Sequence, residues 1–88
     1  MGQVEAMIAK LSDDPRDKLS AALHHAYPEA HNDLGEAYRA ACEQWFAQLT
    51  ESERWIVLTA TVIYEQGDED KAAEIASQLP RAPVPPLP

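Results

Sequence analysis

Eighty-eight residues, 45% of them hydrophobic and only one a cysteine, make a single domain with one modest core. They exclude an intramolecular disulfide and a cysteine-based zinc site, and they are few for a dedicated enzyme. Fifteen acidic residues against seven basic ones give a formal charge of −8, which disfavours direct nucleic-acid binding and anionic membranes and points toward basic protein surfaces, or toward solubility alone.

No apolar run approaches the roughly 20 residues of a membrane span, and the first residues lack the basic start and apolar core of a signal peptide. With its lone Cys42, the chain is expected in the cytoplasm.

Val4, Met7, Ile8 and Leu11 fall at i, i+3, i+4 and i+7 and predict a short amphipathic helix over 3–11. Ser12 and Asp13 then make a turn. Asp14 is placed as N-cap, Pro15 as the first helical residue and Asp17 as first-turn negative charge, so a helix over 15–26 is expected. Its inward face is Leu19, Ala22, Leu23, Ala26 and Tyr27, and Pro28 ends it.

A third helix is expected over 33–49, with Asp33 as cap and Glu36 three residues on; a start at Pro28 is the alternative. Leu34, Ala37, Tyr38, Ala41, Cys42, Trp45 and Leu49 form its core stripe, opposite a charged ladder of Glu36, Arg39 and Glu43. Ala40, Gln44 and Ala47 are small and uncharged, and suit close approach of another helix, either from this chain or from a second copy in a homodimer.

The segment from Thr50 to Gly67 carries a capping box, Thr50 with Glu53, and a glycine at its closing position. Apolar residues cover nearly its whole circumference and leave a polar stripe of Arg54, Thr61 and Glu65. It therefore reads as a buried central helix over 51–66. Its β-branched residues make a strand the competing reading. Trp45, Phe46 and Trp55 are expected to meet at the Thr50 corner, and Leu58→Ala or Ile63→Ala to cost about 2–5 kcal/mol.

Asp68 caps a last helix over 69–79, with Glu69 and Asp70 in its first turn and Ala72, Ala73, Ile75, Ala76 and Leu79 inward. Pro80 stops it. Five prolines among the last nine residues predict an extended tail over 80–88, packed, where ordered, on an aromatic such as Trp55 or Tyr64. The fold class is all-α: a compact bundle of five short helices (domain 1–79) around a buried central helix, with a proline-rich extended C-terminal tail.

Chemistry-bearing motifs are sparse. His24, His25 and His31 lie near Glu29 and Asp33, but adjacent histidines on a helix point about 100° apart and none recurs at i+4, so no metal is expected. His24 and His25 read as surface residues near a helix C-terminus. Cys42 reads as a small buried hydrophobe rather than a nucleophile. No catalytic residue and no cofactor is predicted.

The expected function is that of a small acidic, non-enzymatic protein-interaction module, an adaptor or inhibitor that covers a basic surface on a protein partner. Phage- or plasmid-type inhibitors and anti-activators offer an analogy of size and charge alone. The candidate partner-binding residues are Asp13, Asp14, Asp17, Glu65, Asp68, Glu69, Asp70 and Glu74. To these the two PxxP patterns add Pro83, Pro85, Pro86 and Leu87, which SH3- or WW-type grooves would read. A homo-oligomeric, helix-turn-helix-like regulator is the alternative, and a His/carboxylate metal protein or enzyme a remote one.

Overall fold

The computed structural model describes residues 10–29 and 34–85, which form β1 (Leu11–Ser12), α1 (Pro15–Ala26), α2 (Glu36–Ala47), α3 (Glu51–Glu65), α4 (Glu69–Ala76) and β2 (Ala82–Pro83). The described residues thus hold four helices instead of five. The helix expected over 3–11 lies outside them except at its end, where Lys10 is not helical and Leu11 belongs to β1.

Local chemistry fixes most helix ends. The Asp14 side chain accepts the Arg16 N–H at 2.9 Å and Pro15 opens α1, as its fixed φ permits. At α3 the capping box closes in both directions: Glu53 N–H donates to Thr50 Oγ1 at 3.1 Å, and Thr50 N–H to Glu53 Oε1 at 2.8 Å. Gly67, at φ 92°, ends α3 in a Schellman motif, its N–H bonding Tyr64 C=O and that of Asp68 bonding Ile63 C=O. Asp68 then caps α4 by accepting the Lys71 N–H at 3.0 Å.

Four boundaries differ from expectation: both ends of α2, which stops at Ala47 instead of 49, the end of α3 by one residue, and the end of α4. α2 begins at Glu36, because Gly35 takes the N-cap position at φ 96°, a left-handed conformation that side chains with a Cβ avoid; Asp33 lies outside the described residues. α4 stops at Ala76, and the residues to Leu79 form a tighter turn that still buries Leu79.

The larger correction concerns which helix is central. α1, not α3, is the hub, packing against α2, α3, α4 and β2. Its Ala21 and Ala22 are fully buried, and Leu19 and Leu23 fill the space beside them. Side chains this small on adjacent positions let helices approach from two sides of one axis. Polar groups tie the hub down: Lys18 Nζ donates to Ser77 C=O at 3.1 Å beside the Asp13 carboxylate at 3.8 Å. The hydroxyls of Ser20 and Tyr38 bond at 3.1 Å, and His24 stands edge-on to Tyr38 with centroids 4.7 Å apart. His24 is therefore buried, contrary to the surface position expected of it.

α3 packs chiefly on α1 and α4 and buries one face, through Val57, Ala60 and Thr61. Its opposite side is open, with Trp55 62%, Leu58 51% and Val62 42% exposed. Apolar residues all round a helix measure what it could bury, and here too few elements surround it to bury them all.

The C-terminal segment departs from a free tail. Ala82 and Pro83 are buried and pair antiparallel with β1, Leu11 opposite Pro83 and Ser12 opposite Ala82. Val84 N–H donates to Lys10 C=O at 3.1 Å, so the nitrogen of Pro83, one residue earlier, points away from β1 and no ladder bond is lost. The aromatic ring that meets this segment is Trp45, whose Nε1 donates to Pro80 C=O at 3.4 Å, not Trp55 or Tyr64. Among the described residues no helix is long and apolar enough to cross a membrane.

Burial overturns the cost expected at Leu58 but not at Ile63, which packs half-buried against the core. In denaturant melts Leu23→Ala should lose about 2–5 kcal/mol, whereas Leu58→Ala, half exposed, should lose less than about 1 kcal/mol. Equal losses at both positions would contradict the packing of α3.

Candidate functional site

The acidic residues singled out from the sequence divide into two groups with different tasks. Asp13 pairs with Arg81 at 3.1 Å and faces Lys18, so it joins the start of α1 to the segment after α4. Asp14 caps α1, and Asp17 lies half-buried in its first turn. Glu65, Asp68, Glu69 and Asp70 surround the α3–α4 turn, and all are exposed, as is Glu74 on α4. Asp13, through Lys18, lies near the C-terminal end of α4 and the second group near its N-terminal end, about 12 Å apart for a helix of eight residues. Of the proline positions, Pro83 is buried in β2, Pro85 is half-buried, and Pro86 and Leu87 lie outside the described residues.

The feature that composition hid is a stripe on α3. Trp55, Leu58 and Val62 follow one another at three- and four-residue steps, and Glu51 and Glu65 continue the same row at four and three residues beyond its ends. Residues so spaced share one helix face. The stripe is therefore an apolar seam with a carboxylate at each end.

Beside it the surface is concave. One groove of about 370 Å³ lies between the end of α1 and α3, lined among others by Tyr27, Phe46, Leu58 and Val62. A second of about 290 Å³ is walled by Phe46, Glu51, Arg54, Trp55 and Leu58. Phe46 forms the ridge common to both. The His25 ring stacks on it with centroids 3.5 Å apart, and the Arg54 guanidinium carbon lies 5.0 Å from its centroid. Both cationic candidates are engaged elsewhere as well, His25 Nδ1 with Glu43 and Arg54 Nη2 with Ala47 C=O at 3.2 Å. At the far end of the groove, the Glu65 carboxylate beside the Tyr27 hydroxyl raises that phenol above its usual pKa.

Phe46 and Trp55 thus share a groove, as expected at the Thr50 corner, whereas Trp45 is buried on the other side of α2. The signal for the stripe was present in the spacing of Glu51, Trp55, Leu58, Val62 and Glu65, but the equally apolar opposite face concealed it.

Among the described residues no three His, Cys, Asp or Glu side chains gather where an ion would sit, and His31 lies outside them. Cys42 is fully buried, and desolvation pushes its thiol up to about 11, the opposite of what a nucleophilic thiolate needs. No family model, curated protein or solved structure matches the chain.

The Cys42 thiol should resist a thiol reagent at pH 8 in the folded protein and react fully once denaturant is added. Because burial holds its folded pKa above the ordinary thiol value of 9.0, its contribution to stability is complete below pH 9 and is lost as pH rises toward 11. Melts of the wild type should therefore weaken over that window, and Cys42→Ala should reduce the slope. Rapid native labelling would show the thiol exposed.

Proposed function

We propose that the chain is a non-enzymatic protein-interaction module, an adaptor or inhibitor that covers a basic surface of a protein partner. The observation that carries this reading is the exposed seam of Trp55, Leu58 and Val62, framed by Glu51 and Glu65. A large aromatic and two aliphatic side chains in water on one helix face forfeit burial they would gain against a partner, and such patches mark interaction sites. The surrounding charge selects the sign of that partner, because a carboxylate stands at each end of the apolar row and the whole chain carries −8. The cytoplasm suits such a module, since a chain with one cysteine forms no disulfide of its own that would call for an oxidising compartment.

A nucleic-acid-binding regulator is less well supported. Lys18 is buried against Ser77, and α3 carries a single basic residue, Arg54, already directed to Phe46 and Ala47. A phosphate-reading helix needs free cations along its exposed face.

Capture from the native host at low and at high salt tests the reading, with bound proteins identified and the mass of the free chain measured. A protein with a basic surface should be retained at low salt and released as salt screens the charges. Retention of duplex DNA without any protein would overturn the reading and shift interest to Lys10, Arg16 and Arg39.

A further inference from the structure

We infer that the seam on α3 receives an amphipathic helix of the partner, about four turns long, with apolar residues facing the stripe and Lys or Arg near both ends. This rests on the interaction-module reading and specifies its site and ligand.

Glu51, Trp55, Leu58, Val62 and Glu65 step by four, three, four and three residues, the pattern by which one helix packs its ridge into the groove of another at a shallow crossing angle. From Glu51 to Glu65 the row spans about 21 Å along the axis. A partner of matching length is a helix of about 15 residues. The concavities lined by Phe46, Arg54 and Leu58 would wall such a helix along one side, whereas a flat or extended partner would leave them empty.

Charge then decides between a foreign helix and a second copy. In a symmetric pair built on this seam, an antiparallel arrangement sets Glu51 of one chain against Glu65 of the other, and a parallel one sets each glutamate against itself. Both confront carboxylates at each end, on chains that each carry −8. Arg54 keeps its charge but is turned over Phe46 and bonded to Ala47, and one cation per chain does not match the two carboxylates of the row. A helix with apolar residues at the central positions and cations at the outer ones satisfies the row at every step.

The test uses the full chain and two synthetic helical peptides with the same leucine stripe, one with lysines on its remaining face and one with glutamates. Binding is followed by the Trp55 indole signal in ¹⁵N-labelled protein. The lysine peptide should shift that signal saturably, and the glutamate peptide should bind at least tenfold more weakly. Leu58→Glu is the discriminating variant, since it makes the chain more acidic while removing an anchor. Its affinity for the lysine peptide should fall at least tenfold, and Val62→Glu, also at an exposed site, should do the same if the first variant folds poorly.

Equal or tighter binding by either glutamate variant would reduce the effect to charge attraction and overturn the inference. Three other outcomes would also overturn it: a shift confined to residues away from α3, a wild-type dimer whose Trp55 signal depends on concentration, or a change in that signal when residues 1–9 are removed. If the host partner is captured undiminished by the Leu58→Glu chain, the module reading stands and only the helix-docking inference falls.

Discussion

Two adjacent alanines set the geometry of this molecule. Ala21 and Ala22 present almost no side chain beyond the axis of α1, so α2, α3 and α4 can all approach that one helix. The leucines on either side, Leu19 and Leu23, fill the volume between the approaching helices. Lys18 and His24 lie in the same buried surface, and each finds polar partners on or near α1, with Ser77 at one end and Ser20 and Tyr38 toward the other. A hub of this kind fixes how many neighbours each other helix can have. α3 receives two substantial ones, and its far side remains in water.

Much of the fold was legible because it is written in local chemistry. Asp14 with Pro15, Thr50 with Glu53, Gly67 and Asp68 each satisfy free backbone groups within a few residues, and such signals do not depend on the rest of the chain. The start of α2 differed for a local reason too, because Gly35 occupies the N-cap position in a conformation open to glycine. Burial was less legible. A helix that is apolar all round does not say which side will be covered, and α1 was concealed as the hub by the very polar residues, Lys18 and His24, that it buries with partners. The pairing of Leu11–Ser12 with Ala82–Pro83 joins positions about 70 residues apart, which no periodicity encodes.

The candidate site followed the same division. Acidic residues were read as one recognition surface, yet several of them hold the fold together: Asp14 and Asp68 cap helices, and Asp13 joins Lys18 to Arg81. Glu65 keeps a place at the site, now as one end of an apolar row instead of a member of an acidic cluster. The hydrophobic residues thought to be core became the candidate surface. The proposed interaction site is thus what the hub leaves over: a helix too apolar for its neighbours, with carboxylates at both ends.

The exposure of that helix is the central claim, and the two tryptophans report on it within the intact chain. Trp45 is buried with its indole N–H bonded to Pro80 C=O, whereas Trp55 projects from the open side of α3. Hydrogen exchange of the two indole N–H groups, followed by NMR in dilute native protein, separates them directly. One indole should be protected and the other should exchange close to the rate of a free tryptophan. Protection of both would mean that the outer face of α3 is covered in the native chain and would contradict the account.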